Sequence, residues 1–134
     1  MAMTRYGADG ANLTVFGIPI SEFGEQDPAI TIEDIEPRAT LKRGVGGTSN
    51  RIDNMTVAKR LTVNLMPGSD EVRQIIAAAK SGVDANATFS QTGTGESVIM
   101  FDGILVNRGP MGRAGKTTVT DEVFTFEFSD SDET

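Results

Sequence analysis

The fold of this chain is decided by residues 29–66, which read AITIEDIEPRATLKRGVGGTSNRIDNMTVAKRLTVNLM. Both ends of this stretch alternate between apolar and polar residues, the pattern of a β-strand with one buried face. Between them lies a polar, glycine-containing insert at residues 44–54, which has little from which to form a core. Because long polar loops in small domains are usually functional or disordered, the stretch predicts two long antiparallel strands joined by an extended arm loop.

The second flank, residues 55–66, gives the strongest strand prediction in the chain. The apolar residues of one face are Val57, Leu61, Val63 and Leu65. Lys59 interrupts this face next to the insert, which predicts that this end of the strand projects beyond the core. In the first flank the apolar positions shift phase after Ile32. A β-bulge near Glu33 and Asp34 would produce the shift, because one extra residue exchanges the two faces.

A single helix is predicted after the second flank. Ser69 is a suitable N-cap, and Asp70 and Glu71 suit the positive end of the helix dipole. Gly82 is a suitable C-terminal stop. The apolar residues between these ends recur at three- and four-residue spacing: Val72, Ile75, Ile76 and Ala79. Such a stripe predicts a helix that lies against a sheet or across the opening of a barrel.

The remaining segments predict short strands at residues 11–20, 85–91, 96–107 and 117–128. Gly103 predicts a bulge or bend in the third of these. Phe124, Phe126 and Phe128 share one face of the last. We interpret that face as core rather than as a platform for stacking bases, because the chain has only seven phenylalanines and needs a core.

These elements together predict a mainly β protein, a β-sandwich or barrel of about seven strands with one flanking α-helix and a long β-hairpin arm. A length of 134 residues is typical of one domain, so residues 1–134 are predicted to form a single one. Within it, residues 1–10 and 129–134 are predicted to be flexible tails, and residues 44–54 the extended arm loop.

The composition excludes several classes of function. The chain has no cysteine and no histidine, which excludes disulfides, thiolate metal sites and a Ser-His-Asp triad. No apolar run approaches the ~20 residues that span a bilayer. Residues 1–7 lack the apolar stretch of a signal peptide, so we expect folding in a cytoplasm. The net charge of −7 disfavours tight binding to nucleic acid or to an anionic membrane.

Residues 111–117 (MGRAGKT) match only part of a phosphate-binding loop, which requires G-x-x-x-x-G-K-[ST] between a strand and a helix. Pro110 stands where the first glycine is required, and a β-patterned segment follows. Two carboxylate clusters, at residues 33–36 and 130–133, lack the spacing of an EF-hand loop and are predicted to be solvated or interface patches. The sequence therefore predicts no catalytic residue, no cofactor and no metal site, and we expect the protein not to be an enzyme.

The basic residues are concentrated around the insert. Residues 38–60 contain one acidic residue, Asp53, against six basic ones: Arg38, Lys42, Arg43, Arg51, Lys59 and Arg60. The preceding segment, residues 22–36, and the end of the chain, residues 121–133, are acidic instead. A basic arm on an acidic body predicts a subunit that docks on copies of itself.

Five segments, taken in order, resemble the tail tube protein of contractile-tailed bacteriophages (the myophage type). They are ANLTVFGIPISEF at the first strand, AITIEDIE before the insert, the glycine-rich arm ending at residues 51–54, VAKRLTVNLMPGSDEVRQI leading into the helix, and DEVFTFEFSD in the last strand. The resemblance covers about residues 10–130 and rests on the order and pattern of these segments.

The resemblance implies a virion structural protein whose subunits form hexameric rings, with strands of all six subunits joined into one inner β-barrel. Stacked rings would form the inner tail tube, in contact with the tail sheath, baseplate and tail terminator proteins. Double-stranded DNA would pass through the tube transiently and without specific contacts. Assembly is expected in the bacterial host cytoplasm and residence in the phage tail, with no membrane partner.

The resemblance also implies roles for particular residues. The inter-ring or inter-subunit arm is expected to comprise Lys42, Arg43, Gly44, Val45, Gly46, Gly47, Thr48, Ser49, Asn50, Arg51, Ile52, Asp53 and Asn54. The candidate acidic residues of the lumen or of a docking surface are Glu33, Asp34 and Glu36. Arg60 departs from the expectation of a neutral or acidic lumen, since it falls on the polar face of the candidate lumen strand, and it is expected to pair with Glu33 or Asp34 rather than face the channel.

Two other interpretations stay open. A tube subunit of a type VI-like secretion or contractile injection system, or a baseplate or terminator relative, would have the same fold, with limited stacking or with protein as cargo. A small monomeric binding module with a β fold would use the arm to hold a ligand, and deletion of the arm would leave it monomeric.

Overall fold

The structure, a computed structural model, describes residues 10–134, and this part of the chain contains nine strands and one helix. In chain order they are β1 (Ala11–Val15), β2 (Ile18–Ile20), β3 (Ile30–Asp34), β4 (Ala39–Arg43), β5 (Ser49–Asp53), β6 (Lys59–Leu65), α1 (Asp70–Lys80), β7 (Ala85–Gln91), β8 (Ser97–Arg108) and β9 (Glu122–Glu133). The fold is therefore mainly β with one helix, as the sequence predicts.

Seven of the strands form one sheet in the order β2-β1-β7-β8-β9-β6-β3, and every neighbouring pair is antiparallel. Just beyond β2, the chain forms two backbone hydrogen bonds with the end of β6, across the gap between the two edges of the sheet. The Gly24 N–H donates to the Asn64 carbonyl at 2.9 Å. The Met66 N–H donates to the Glu22 carbonyl at the same distance. These bonds curl the sheet so that it encloses the core like a barrel at this end.

The core lies inside the curled sheet and is built from the predicted apolar faces. The phenylalanine face of β9 is buried, and its neighbouring ring centroids are 6.2–6.3 Å apart. Phe16, at the turn between β1 and β2, packs edge-on against Phe126 with centroids 6.0 Å apart. Aromatic side chains bury the largest area per residue, so this row dominates the core. The interpretation of the three phenylalanines as core is confirmed.

Helix α1 begins and ends where the sequence predicts, but its N-terminus is held differently. Ser69 has the extended backbone of an N-cap, yet its side chain makes no capping hydrogen bond. The carboxylate of Glu71 instead accepts hydrogen bonds of 2.9–3.1 Å from the backbone and hydroxyl of Ser21 and of 3.0 Å from the Glu22 N–H. These bonds fix the first turn of the helix to the end of β2, and Val72 enters the core beside it.

The predicted long hairpin is divided into two hairpins. Strand β3 pairs with β6 in regular register, from Ile30 opposite Val63 to Asp34 opposite Lys59. The predicted bulge near Glu33 is therefore wrong, and the phase shift arises because β3 ends at Asp34 and the chain bends. Strands β4 and β5 form a separate two-stranded sheet. Half of the insert is thus strand rather than loop, and only residues 44–48 connect the two strands.

The end of the chain belongs to the sheet. Strand β9 continues to Glu133, and its last part pairs with the first half of β8, from Phe101 opposite Asp130 to Val98 opposite Glu133. The prediction of a flexible tail at residues 129–134 is corrected accordingly, because backbone pairing outweighs the polar composition of the segment. The other predicted tail, residues 1–10, lies outside the described residues except for Gly10.

Gly103 follows an irregularity in β8, as the sequence predicts. The register against β7 shifts between the pairs Ala87–Met100 and Ala85–Gly103. A Cβ atom built at Gly103 would overlap the ring of Phe128. Glycine is therefore required here by the close approach of the backbone to the phenylalanine row.

We predict that Gly103→Ala destabilises the subunit by about 1–3 kcal/mol, the usual cost of overpacking a core, because Phe128 must shift to admit the methyl group. Gly46→Ala is the matched control, since no atom lies within 4 Å of a Cβ there, and it should change stability by less than about 0.5 kcal/mol. Urea unfolding of the two variants measures the difference, and equal midpoints would contradict the packing argument.

Candidate assembly surfaces

The hairpin of β4 and β5, with its turn at residues 44–48, projects from the body of the subunit. Every residue of both strands is exposed, including Leu41 and Ile52, and Val45 at the tip is fully exposed. We call residues 39–53 the arm. Five strand residues at about 3.4 Å each give the ribbon a length of about 17 Å. An isolated two-stranded ribbon is marginally stable in water, and packing against another surface adds to the stability of such a ribbon.

The arm carries three of the six basic residues of this region, Lys42, Arg43 and Arg51. Arg51 pairs with Asp53 on the same strand at 2.7 Å. Lys42 and Arg43 make no ion pair within residues 10–134. The structure thus places the predicted arm residues together on one exposed ribbon, with Asn54 at its base donating to the carbonyl of Pro37.

Lys59 is buried directly beneath the arm, with only 6% of its side chain exposed. Its ammonium group pairs with Asp34 at the end of β3 and with Glu133 at the end of β9. Arg38 pairs with the same two carboxylates, and its Nε lies 2.8 Å from Asp34 Oδ2. We call these four residues the arm-base cluster. The prediction that Lys59 projects beyond the core is wrong, because two carboxylates compensate its charge inside.

The arm-base cluster makes stability depend on pH in the acid range. Hydrogen bonds from Arg38 and Lys59 lower the pKa of Asp34 from 3.8 to about 2. A carboxyl group whose folded-state pKa is depressed stabilises the fold fully above its ordinary pKa. This contribution is lost as the pH falls from about 4 to about 2.

We predict that Asp34→Asn lowers the melting temperature at neutral pH, and that the difference from wild type shrinks between about pH 4 and about pH 2, where wild-type Asp34 becomes neutral as well. Circular dichroism melting at a series of pH values measures this. Asp53→Asn, which removes an exposed ion pair, is the control and should change the melting temperature little. A difference that does not vary with pH would contradict the assigned role of Asp34.

Besides the short terminal strand β2, which pairs with β1 alone, two strands of the sheet have an unpaired edge. Strand β8 pairs with β7 only as far as Gly103, whereas its pairing with β9 continues to Arg108. Residues 104–108 therefore have an open side in the described part of the chain. Strand β3 pairs with β6 alone, so its other side is open too. We call β3, β6, β9 and residues 103–108 of β8 the open layer, because it has an open edge on both sides.

The open layer has one apolar and one polar face. The core face is apolar, and the opposite face is formed by rows of residues that stand side by side across the four strands. One row is Glu33, Arg60, Glu127 and Ile104, and the next is Thr31, Thr62, Thr125 and Asn107. Arg60 lies 3.1 Å from Glu33 and 3.8 Å from Glu127, so its charge is compensated from both sides. The outer face is therefore hydroxyl-rich and has a net charge of about −1.

The three acidic candidate residues do not form one group. Successive residues of a strand point to opposite faces, so Glu33 lies on the outer face with Arg60 and Asp34 in the arm-base cluster. Glu36 is exposed in the bend after β3. The expected pairing of Arg60 with Glu33 is confirmed, whereas a shared acidic site of all three residues is not formed.

A second buried charge, which the sequence analysis did not identify, lies at the other end of β9. Glu122 is 2% exposed and accepts hydrogen bonds of 2.8 and 2.6 Å from Arg108, and Arg113 pairs with it as well. The hydrogen bonds from Arg108 lower the pKa of Glu122 against the effect of burial. This contact anchors the loop at residues 109–121. The sequence feature that could have predicted this buried charge is the position of Glu122 two residues before Phe124, on the same face of the strand. A charge on the buried face of a strand requires a partner.

Within the described residues, no helix is long and apolar enough to cross a membrane. The same part of the chain contains no group of three or more acidic, histidine or cysteine side chains placed to hold a metal ion.

The sequence matches no protein family profile and no curated protein, but the fold matches solved structures. A chain of the sheath–tube complex of an extracellular contractile injection system, PVC, in its extended state superposes with a TM-score of 0.59 at 13% identity, covering 92% of this chain and 87% of that one. A chain of the sheath/tube terminator structure of PVC gives 0.64 at 11% identity, covering 100% and 99%. This chain has the fold of chains from contractile injection system structures.

A third structure has the same fold. A chain from the tube-terminating cap of the anti-feeding prophage, AFP, superposes with a TM-score of 0.61 at 9% identity, covering 100% of this chain and 93% of that one. The match to nearly the full length of each chain confirms, at the level of fold, the resemblance that the ordered segments indicate. At such low identity, what these proteins share is the arrangement of strands rather than particular side chains.

Proposed function

We propose that this chain is the tube subunit of a contractile machine, a structural protein without enzymatic activity that assembles with copies of itself into stacked rings around a channel. The observation that carries the proposal is the open layer, with one unpaired edge at β3 and another at residues 104–108. A monomer that exposes two strand edges is prone to aggregate. A ring in which each β3 pairs with residues 104–108 of the next copy covers both of these edges. Such an interface is head-to-tail, and it forms a closed ring when the rotation between copies is a whole fraction of a turn.

The hydrogen-bond pattern of β3 supports this pairing. The Asn64 N–H donates to the Ala29 carbonyl and the Ile35 N–H to the Ala58 carbonyl. Because bonded and non-bonded pairs alternate in an antiparallel ladder, the backbone groups of Ile30 and Ile32 point away from β6 and toward the open edge. They are available to a second copy.

The outer face of the open layer suits the inner wall of such a ring. Threonine hydroxyls keep it hydrated, and the compensated charge of Arg60 leaves no free cation in these rows to hold a phosphate backbone. Each cationic contact to DNA would slow its passage. The sequence resemblance implies six copies in each ring, with strands of all six joined into one barrel.

The arm provides contacts along the axis of the tube. It leaves the body at one end of β3, beyond the open layer, and exposes Leu41, Val45 and Ile52 beside its cations. We propose that it stacks one ring on the next, and that the arm-base cluster sets its direction. Glu33 then positions Arg60, and Asp34 positions the base of the arm, rather than forming one docking site with Glu36.

The partners proposed for the tube are a sheath, a baseplate and a terminator protein. The matched PVC structures are a sheath–tube complex and a sheath/tube terminator. For the cargo we favour double-stranded DNA in a phage tail that is assembled in the host cytoplasm, as the ordered segments imply. A protein cargo in a contractile injection system is the alternative, and the PVC and AFP matches favour it. A terminator that ends the tube is a second candidate, because the cap and terminator structures match the whole of this chain.

We predict that Ile32→Pro abolishes ring formation, because proline removes an N–H from the open edge of β3 while the bonds to β6 stay in place. Ile32→Ala removes a similar side-chain volume but keeps the N–H, and it should still form rings. Negative-stain electron microscopy, with solution mass and circular dichroism to verify folding, measures the outcome. Rings from folded Ile32→Pro protein, or a wild-type protein that stays monomeric at every concentration even with baseplates as nuclei, would contradict the proposal.

We predict that replacement of residues 40–52 by Asn-Gly gives a folded subunit that forms single rings without stacking into tubes. The two residues allow a tight turn between Ala39 and Asp53, which already face each other in the register of the arm. Tube length in electron micrographs is the readout, and ring diameter is the internal control. Tubes of normal length would contradict the stacking role of the arm, and wild-type protein that caps other tubes without extending them would favour the terminator.

A further inference from the structure

We infer that a groove at the opposite end of β3 from the arm is the surface on which the arm of a second copy docks. This inference rests on the proposed function, since it names the partner surface of ring stacking. The groove has a volume of about 680 Å³ and runs between the loop at residues 23–30 and the ends of β1 and β7. The residues that the argument uses are Phe23, Glu25, Asp27, Ile30 and Phe89. We call it the acidic groove.

The position of the acidic groove suits a head-to-tail contact. Ile30 at the start of β3 lines the groove, and Asp34 at its end belongs to the arm-base cluster. The two sites are separated by four residue steps, about 13 Å along one strand. A second copy placed further along the strand direction brings its arm to the groove of the first. Because donor and acceptor surfaces differ, the contact repeats without limit and generates a tube rather than a closed pair.

The chemistry of the two surfaces is complementary. The floor of the groove is apolar, with Phe23, Ile30 and Phe89 partly buried there, and its rim carries the exposed Glu25 and Asp27. A surface of this kind fits a partner with apolar side chains flanked by cations. An acidic peptide or a phosphate backbone would be repelled from the rim.

The arm has this composition on both of its faces. On one face Ile52, opposite Thr40, lies diagonally beside Lys42, and on the other Leu41 precedes Arg43 by two residues. Both apolar side chains are more than half exposed, at 56% for Ile52 and 65% for Leu41. Either face of the ribbon therefore presents an apolar side chain to the floor and a cation to the rim.

The rim of the groove is fixed in the free subunit. The Asp121 carboxylate accepts hydrogen bonds from the Glu25 N–H at 2.8 Å and the Gln26 N–H at 3.1 Å. Gly24 packs so closely on Asp121 that a Cβ atom there would overlap the carboxylate. The loop is held ready for its partner, which reduces the entropy lost on docking.

Disulfide cross-linking tests the inference directly, because the chain has no cysteine of its own. The variant Thr48→Cys/Gln26→Cys places one thiol at the arm tip and one on the groove rim. Mild oxidation of its tubes should give a ladder of covalent oligomers on a non-reducing gel. The control Thr48→Cys/Gln74→Cys, with the second thiol on the exposed face of α1, should stay monomeric.

Charge reversal gives an independent test. Glu25→Lys/Asp27→Lys should lower the mass of sedimented tubes at least about tenfold, and the arm change Lys42→Glu/Arg43→Glu in the same chain should restore much of it. Asp84→Lys, exposed and at the other end of β7 from Phe89, is the control for charge reversal outside the groove and should leave the mass of tubes unchanged. Tubes that form normally but give no ladder of cross-linked oligomers, or that do not respond to charge reversal, would overturn the assignment of the acidic groove as the docking surface. The proposed function would then still stand. A wild-type protein that never forms rings would overturn the proposed function, and the groove with it.

Discussion

The unpaired backbone of two strand edges is the constraint on which the proposed assembly depends. Within the subunit, the seven-stranded sheet satisfies most backbone groups by curling until the chain at residues 22–24 reaches β6. Apart from the three-residue strand β2, it leaves open one side of β3 and of residues 104–108. These edges are the two sides of one four-stranded layer, so the same strand pairing that folds the subunit can also join it to the next copy. Fold and assembly then have a single physical cause.

Buried charges fix the geometry around this layer. Lys59 and Glu122 lie at the two ends of the β6–β9 pair, and each is compensated by two partners of opposite charge. A buried ion pair contributes little net stability, because desolvation offsets the attraction, but removal of one partner is costly. Their effect is therefore positional. One cluster holds the base of the arm, and the other holds the loop at residues 109–121, whose Asp121 in turn holds the rim of the acidic groove.

A tube requires a subunit whose two ends differ. In this chain, two segments of different composition lie at the two ends of β3. The arm is basic and has exposed apolar side chains, whereas the loop at the opposite end of β3 is acidic above an apolar floor. In the proposed tube, the net charge of −7 would oppose non-specific association of subunits, while the contrast between the basic arm and the acidic loop would favour one relative orientation. The match to structures of contractile systems at 9–13% identity shows that the arrangement of strands persists while most side chains differ.

The sequence by itself determined the β-rich fold, the helix at residues 70–80, the phenylalanine core and the exposed basic arm, because each depends on local periodicity or composition. It did not determine the division of the long hairpin, the pairing of residues 129–133 or the burial of Lys59. These depend on partners such as Glu133, which is distant in sequence and recognisable only once β9 lies beside β6 and β8. The open layer and the acidic groove were likewise decided by tertiary structure. Strand order, and the contact between the loops at residues 23–30 and 109–121, both depend on residues that are distant in sequence.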